Sequence, residues 1–210
     1  MAQDEYFVTG RKSAVARKAG ASARSKAAKT RDAAPIRSAL GRILGVHTEE
    51  RAWRRGADGE ERVGAALRRL PEGWHVFHDI TVSRRGANID HVVIGPGGVY
   101  SINTKNLTGN VWVAERALLV NGKKTSYLRD AAREAEIVSK RLSSALGRPI
   151  FATPVLAIFA ERITVKSPPV VAVVEAKLLR RWLERRPTVL SQAEAFAVAK
   201  GADDPATWAL

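Results

Sequence analysis

Two β-branched runs facing each other across a short turn constrain this chain more than any other feature in it. Ile89 to Gly95 (IDHVVIG) runs into Pro96-Gly97-Gly98, and Val99 to Thr104 (VYSINT) follows at once. This pattern predicts a β-hairpin, with Pro at the second turn position and Gly at the third, as a type II turn prefers. With Gly95 and Gly98 flanking a two-residue loop, paired positions sum to 193, and Asp90 lies opposite Asn103 on a face that Lys105 shares. A three-residue loop instead sets Asp90 against Thr104 and turns Asn103 and Lys105 to the other side.

Charge is the second constraint. The 210-residue chain carries a formal +14, and its sequence pI is near 10.7, a balance that favours an anionic partner. Residues 11–47 hold ten Lys/Arg and one acid, Asp32, so a net +9 sits in that window and +5 in the remainder. Residues 1–50 are rich in Ala, Lys, Arg and Ser, with almost no large apolar residue before Ile36. We expect a disordered or transiently helical arm there, either solubilising or phosphate-binding, with a short amphipathic patch over 36–46 docking on the body. There is no cysteine, which excludes disulfides and thiolate metal sites. The absence of an apolar leader and of any run of about 18 apolar residues leads us to expect a cytoplasmic protein with no membrane segment.

A globular part over 51–210 is expected to begin near Trp53, hydrophobic residues making up 45% of the chain. Helical periodicity spans 57–70, with Val63, Leu67 and Leu70 on one stripe and Asp58 as its cap. Strands are expected over 73–81, the hairpin, 110–113 and 117–120, with turns at Arg84-Arg85-Gly86 and Asn121-Gly122. An amphipathic helix over 130–146, buried strands over 154–160 and 170–174, and helices over 178–185 and 192–200 complete an α/β sandwich with a mixed sheet.

The chemistry these residues support is phosphodiester hydrolysis, which needs a cation, an activated water and a positioned phosphate. Magnesium takes oxygen ligands and keeps several waters, so Asp90 can supply a first carboxylate. Lys105 beside it can orient water or balance developing charge. Glu60 lies three and seven residues before Val63 and Leu67, and so shares their inward stripe. Each has an ordinary reading too. An Asp opening a strand is commonly a surface residue, a terminal Lys is solvated, and Glu60 near a helix N-terminus favours the dipole. His91 reads as a packed or solvent-facing histidine, and the five scattered tryptophans as core packing rather than a base-stacking platform.

The stretch Gly56-Ala-Asp-Gly-Glu60, with Val63 and Leu67, opens a longer pattern. It continues through Gly86-Ala-Asn-Ile-Asp90-His91, Ile94-Gly95-Pro96-x-Gly98-Val99, Thr104-Lys105-Asn106 and Gly109. Together these resemble the nuclease-related domain family (NERD), over roughly residues 53–165, with strands and helices over 166–210 following. The resemblance implies a branch of the PD-(D/E)xK nuclease superfamily, with a restriction-endonuclease-like core of mixed sheet flanked by helices. It also implies a Mg²⁺ or Mn²⁺ site built by a helix acid, a strand Asp and a Glu-x-Lys pair. On this chain those positions are Glu60, Asp90, Asn103 and Lys105, with metal ligands Asp90, Glu60 and Asn103. Position 103 departs from the pattern, since Asn offers a carbonyl oxygen without charge. Asn103→Glu would then restore a missing ligand. The expectation is a metal-dependent nuclease acting on DNA; the alternatives are a catalytically inactive nucleic-acid-binding module and a protein-interaction scaffold.

Overall fold

The computed structural model describes residues 41–83 and 87–209, together with positions 7, 8, 11, 12, 19, 21, 24 and 25; at 7–12 and 41–53 only the backbone is described. Most of the expected arm over 1–50 lies outside these residues, as do residues 36–40 of its patch over 36–46 and the whole Arg84-Arg85-Gly86 turn. What is described of the arm is a short antiparallel ribbon, β1 (Phe7–Val8) with β2 (Arg11–Lys12), and the first turns of helix α1 (Gly41–Leu67).

Helix α1 therefore starts well before the helix expected over 57–70, and Asp58 sits inside it rather than capping it, with its carboxylate 3.9 Å from Arg24. Gly59 within this helix serves a close approach. A Cβ on Gly59 would stand 2.9 Å from the Cβ of Asn106, so the helix rests directly on a strand there.

The strands follow as β3 (His75–Thr81), β4 (Asn88–Gly95), β5 (Gly98–Asn106), β6 (Asn110–Ala114), β7 (Ala117–Val120) and β8 (Lys123–Lys124). Helix α2 (Tyr127–Leu146) leads to β9 (Ala152–Phe159), β10 (Arg162–Val165) and β11 (Ala172–Glu175). Helices α3 (Leu179–Glu184), α4 (Gln192–Ala202) and α5 (Pro205–Trp208) close the described chain. Two mixed sheets result. The five-stranded one runs β11-β9-β5-β4-β3, with β9 parallel to β5 and β11; the four-stranded one runs β10-β6-β7-β8. The parallel pair β5/β9 of the first sheet turns a corner and continues as the parallel pair β6/β10 of the second. At that corner Gly109 takes φ +91 against the Asn121 amide, which donates to Thr108 O and accepts from Asn110 N. The fold class agrees with the sequence-based expectation, and the second sheet adds to it.

Apolar alternation buries both faces of the larger sheet. Phe77, Val92, Ile94 and Val99 pack on Val138 and Leu142 of α2 and Val198 of α4. On the other side Val93, Tyr100, Ile102 and Val155 pack on Val63 and Leu67 of α1 and Leu179 and Leu183 of α3. A third cluster joins Val111, Val113 and Leu118 of the smaller sheet to Leu128 and Ala131 of α2. Among the described residues no helix is long and apolar enough to cross a membrane.

The hairpin holds the two-residue register, with Gly95 opposite Gly98 and His91 opposite Ile102. Its turn is not type II, because the positive φ (+116) falls on Gly98 rather than Gly97. Moving the left-handed residue past the central pair keeps the connection compatible with strand twist. A Cβ on Gly95 would overlap the ring of Trp74. That ring is not free to yield, since it stacks on Tyr100 at 6.3 Å, which meets Trp182 edge-on at 5.9 Å. Gly95→Ala is expected to destabilise the fold by about 1–3 kcal/mol, read as a lower urea midpoint at unchanged slope.

Candidate functional site

The β3–β4 ladder is regular from His75/Ile94 to His78/His91 and resumes at Ile80/Ile89, skipping the position between. There Asp79 takes φ +53, a left-handed conformation that Asp tolerates better than most residues, and Asn88 Nδ2 donates to its Oδ1 at 2.6 Å. The β4–β5 ladder ends at His91/Ile102, just short of Asp90. Asp90 then does with its side chain what the backbone no longer does: its Oδ2 accepts the Thr104 N–H at 2.7 Å. The local break thus aims a carboxylate at the end of β5.

On β5, alternation turns Asn103 and Lys105 toward α2, while Thr104 and Asn106 face α1, as the contact of Gly59 with both shows. Asn103 is buried. Its Nδ2 donates to both carboxylate oxygens of Glu134 on α2, at 2.8 and 3.0 Å, and its buried Oδ1 has no hydrogen-bond partner. The Nζ of Lys105 lies 5.3 Å from the centre of the Tyr127 ring on the same helix.

Electrostatics ties these groups together. Burial first, then the negative charge of Asp90, pushes the Glu134 carboxyl up to about 7; the Asn103 hydrogen bond and the Lys105 ammonium pull the other way. Asp90 and Lys105 thus both act on the Glu134 carboxylate, with opposite signs. Glu60 is half-buried on α1, the helix that covers the opposite, Thr104 and Asn106 face. Asp90, Asn103 and Lys105 come together with Glu134, which the sequence reading did not single out.

His91 is packed rather than solvent-facing. Its Nδ1 lies 2.7 Å from His78 Nδ1, so one ring donates and the other accepts. Burial lowers both histidines, His78 to about 4 with Arg68 adding to the effect, and holds the pair neutral.

The sequence profile of the nuclease-related domain matches residues 55–159, half of the chain, and so contains Glu60, Asp90, Asn103, Lys105 and Glu134. An uncharacterized protein of Bacillus anthracis is 36% identical over 69 residues, which span 31% of this chain and 32% of that relative. No solved structure matches the chain. The profile match covers the hairpin, all of α2, the second half of α1 and the residues gathered around Glu134: this chain belongs to the nuclease-related domain family.

Proposed function

We propose that this protein hydrolyses phosphodiester bonds in DNA with a divalent cation, using a pocket in which Glu134 supplies the acid that position 103 lacks. One observation carries the reading: Asn103 gives its amide N–H₂ to Glu134, whose carboxylate feels both Asp90 and Lys105, and keeps a buried oxygen with no hydrogen-bond partner among the described residues. Two carboxylates and an amide oxygen, with no thiolate, form a hard donor set that fits Mg²⁺ or Mn²⁺. Among the described residues no group of three or more His, Cys, Asp or Glu side chains gathers as a cation site. Asp90, Glu134 and Asn103 Oδ1 would hold it; when bound, it would lower the pKa of water and screen phosphate charge.

The rest of the work falls to the chain itself. Thr104 N–H fixes the Asp90 carboxylate, and Asn103 fixes that of Glu134, so neither must be ordered when substrate arrives. Lys105 brings an ammonium to the edge of the pocket, where it can donate to a phosphoryl oxygen as charge builds. Tyr127 braces that side chain through its ring face.

Calorimetric titration of Mn²⁺ tests the reading. Wild type is expected to bind with measurable heat and to nick plasmid DNA, and Asp90→Ala is expected to lose both. A wild-type protein that takes up no Mn²⁺ would leave the pocket as part of a nucleic-acid-binding module without hydrolysis.

A further inference from the structure

The four-stranded sheet has one face on the core and the other in solvent. Val111, Val113 and Leu118 point inward and are buried, so Trp112 and its neighbours in register point outward. Trp112 is 38% exposed although it sits at mid-strand in the middle of the sheet. The register sets Thr164, Trp112, Leu119 and Lys124 side by side across all four strands. On the β10 edge Arg162 stands beside Asn110, and Lys166 follows the strand, its N–H bonded to Val113 O. Arg162 and Lys166 at one edge and Lys124 at the other are exposed, with no ion pair among the described residues. No acid occupies an outward position on these strands.

An indole face flanked by cations on a solvent-exposed sheet matches unpaired bases joined by phosphates. Every base has a π-face to stack, and the flanking ammonium and guanidinium groups meet the backbone. A duplex keeps its bases stacked on each other and offers that indole nothing. We infer that this face binds single-stranded nucleic acid, with Trp112 stacking a base and Arg162, Lys166 and Lys124 taking neighbouring phosphates. In sequence the far edge of this face lies close to the helix that carries Glu134. β8 ends at Lys124, α2 begins at Tyr127, and the Tyr127 ring lies against Lys105. The inference rests on the nucleic-acid reading above and narrows the ligand to a single strand, or the single-stranded part of a longer one, laid across the sheet.

Fluorescence anisotropy with a labelled oligothymidylate and a blunt duplex of equal length tests it. Trp112→Ala is expected to weaken oligothymidylate binding by about 5- to 100-fold, with duplex binding changed by less than about 2-fold and Trp112→Phe keeping most of the affinity. Lys124→Glu with Arg162→Glu is expected to weaken binding and flatten its salt dependence. Wild-type affinity in Trp112→Ala, equal losses for duplex and single strand, or no oligothymidylate binding by wild type would each overturn the inference. The pocket reading fails separately, because Mn²⁺ uptake by the wild-type protein is measured without any oligonucleotide.

Discussion

Glu134→Gln is expected to have two opposite effects, a gain in stability at alkaline pH and a loss of cation binding. The Glu134 carboxyl is raised from an ordinary 4.5 to about 7, chiefly by burial and then by the charge of Asp90. A group that holds its proton more tightly folded than unfolded contributes stability that is fully present below about 4.5. That contribution is lost as pH rises through about 7. Wild type should therefore be weaker at pH 8 than at pH 5 by on the order of 1–3 kcal/mol from this group. Glutamine keeps an oxygen to accept from Asn103 and never ionises. The variant should equal wild type at pH 5 and exceed it at pH 8 by that amount in urea unfolding. The same change removes one of two carboxylates from the proposed donor set. Mn²⁺ affinity should fall by at least about 10-fold, and plasmid nicking with it. Equal pH profiles for the two proteins would remove the electrostatic account, while unchanged Mn²⁺ affinity would remove Glu134 from the donor set.

Asn103→Glu is expected to injure the protein rather than repair it. From the sequence an acid at position 103 restores a missing ligand, but the structure shows that position facing Glu134 across two hydrogen bonds. A glutamate there takes away the only donor in that contact and sets a third carboxylate beside Asp90 and Glu134. In a pocket this buried, the added charge should cost about 2–4 kcal/mol at pH 8 without cation. Exchanging the two groups, as Asn103→Glu with Glu134→Gln, returns the amide–carboxylate pair with its ends reversed. It also returns the Glu-x-Lys pattern to β5. The double variant should recover most of the lost stability, with a coupling of about 1–3 kcal/mol in the cycle. It should also bind Mn²⁺ more tightly than either single variant. Additive losses would mean that the contact between the two side chains carries no energy.

The hairpin was legible because β-branched runs and a Pro-Gly-Gly turn leave few registers, and a shift of one residue would have put Val92 and Ile94 into the wrong layer. Asn103 and Lys105 followed from that register by alternation alone. Glu134 left a signal that was not used. It lies three residues after Ala131 and four before Val138, on the inward stripe of α2, by the same spacing that drew notice to Glu60. Helical spacing says that an acid faces inward but not which sheet position receives it, so only packing separates these two glutamates. Trp112 was likewise readable in part, since Val111 and Val113 take the buried phase of β6 and leave the indole in the other. The second sheet was not readable. Its outer strand, Arg162–Val165, is short and charged at its start, and pairs with a strand fifty residues earlier across a corner. The start of α1 at Gly41 escaped for a related reason: four glycines and many charged residues over 41–59 weaken any local helical signal.

The border of kinship and the border of the fold fall in different places. Similarity to the family ends at Phe159, the last residue of β9, yet β11 is the strand that shields the far side of β9. Leu179 and Leu183 seal one layer of the interior, and Val198, Ala199 and Trp208 seal the other. A fragment cut at the family border would expose an unpaired parallel strand and strip apolar cover from both sides of the sheet. Residues 160–209 thus finish the enclosure of a sheet whose family-matched portion would stand partly bare on both sides without them.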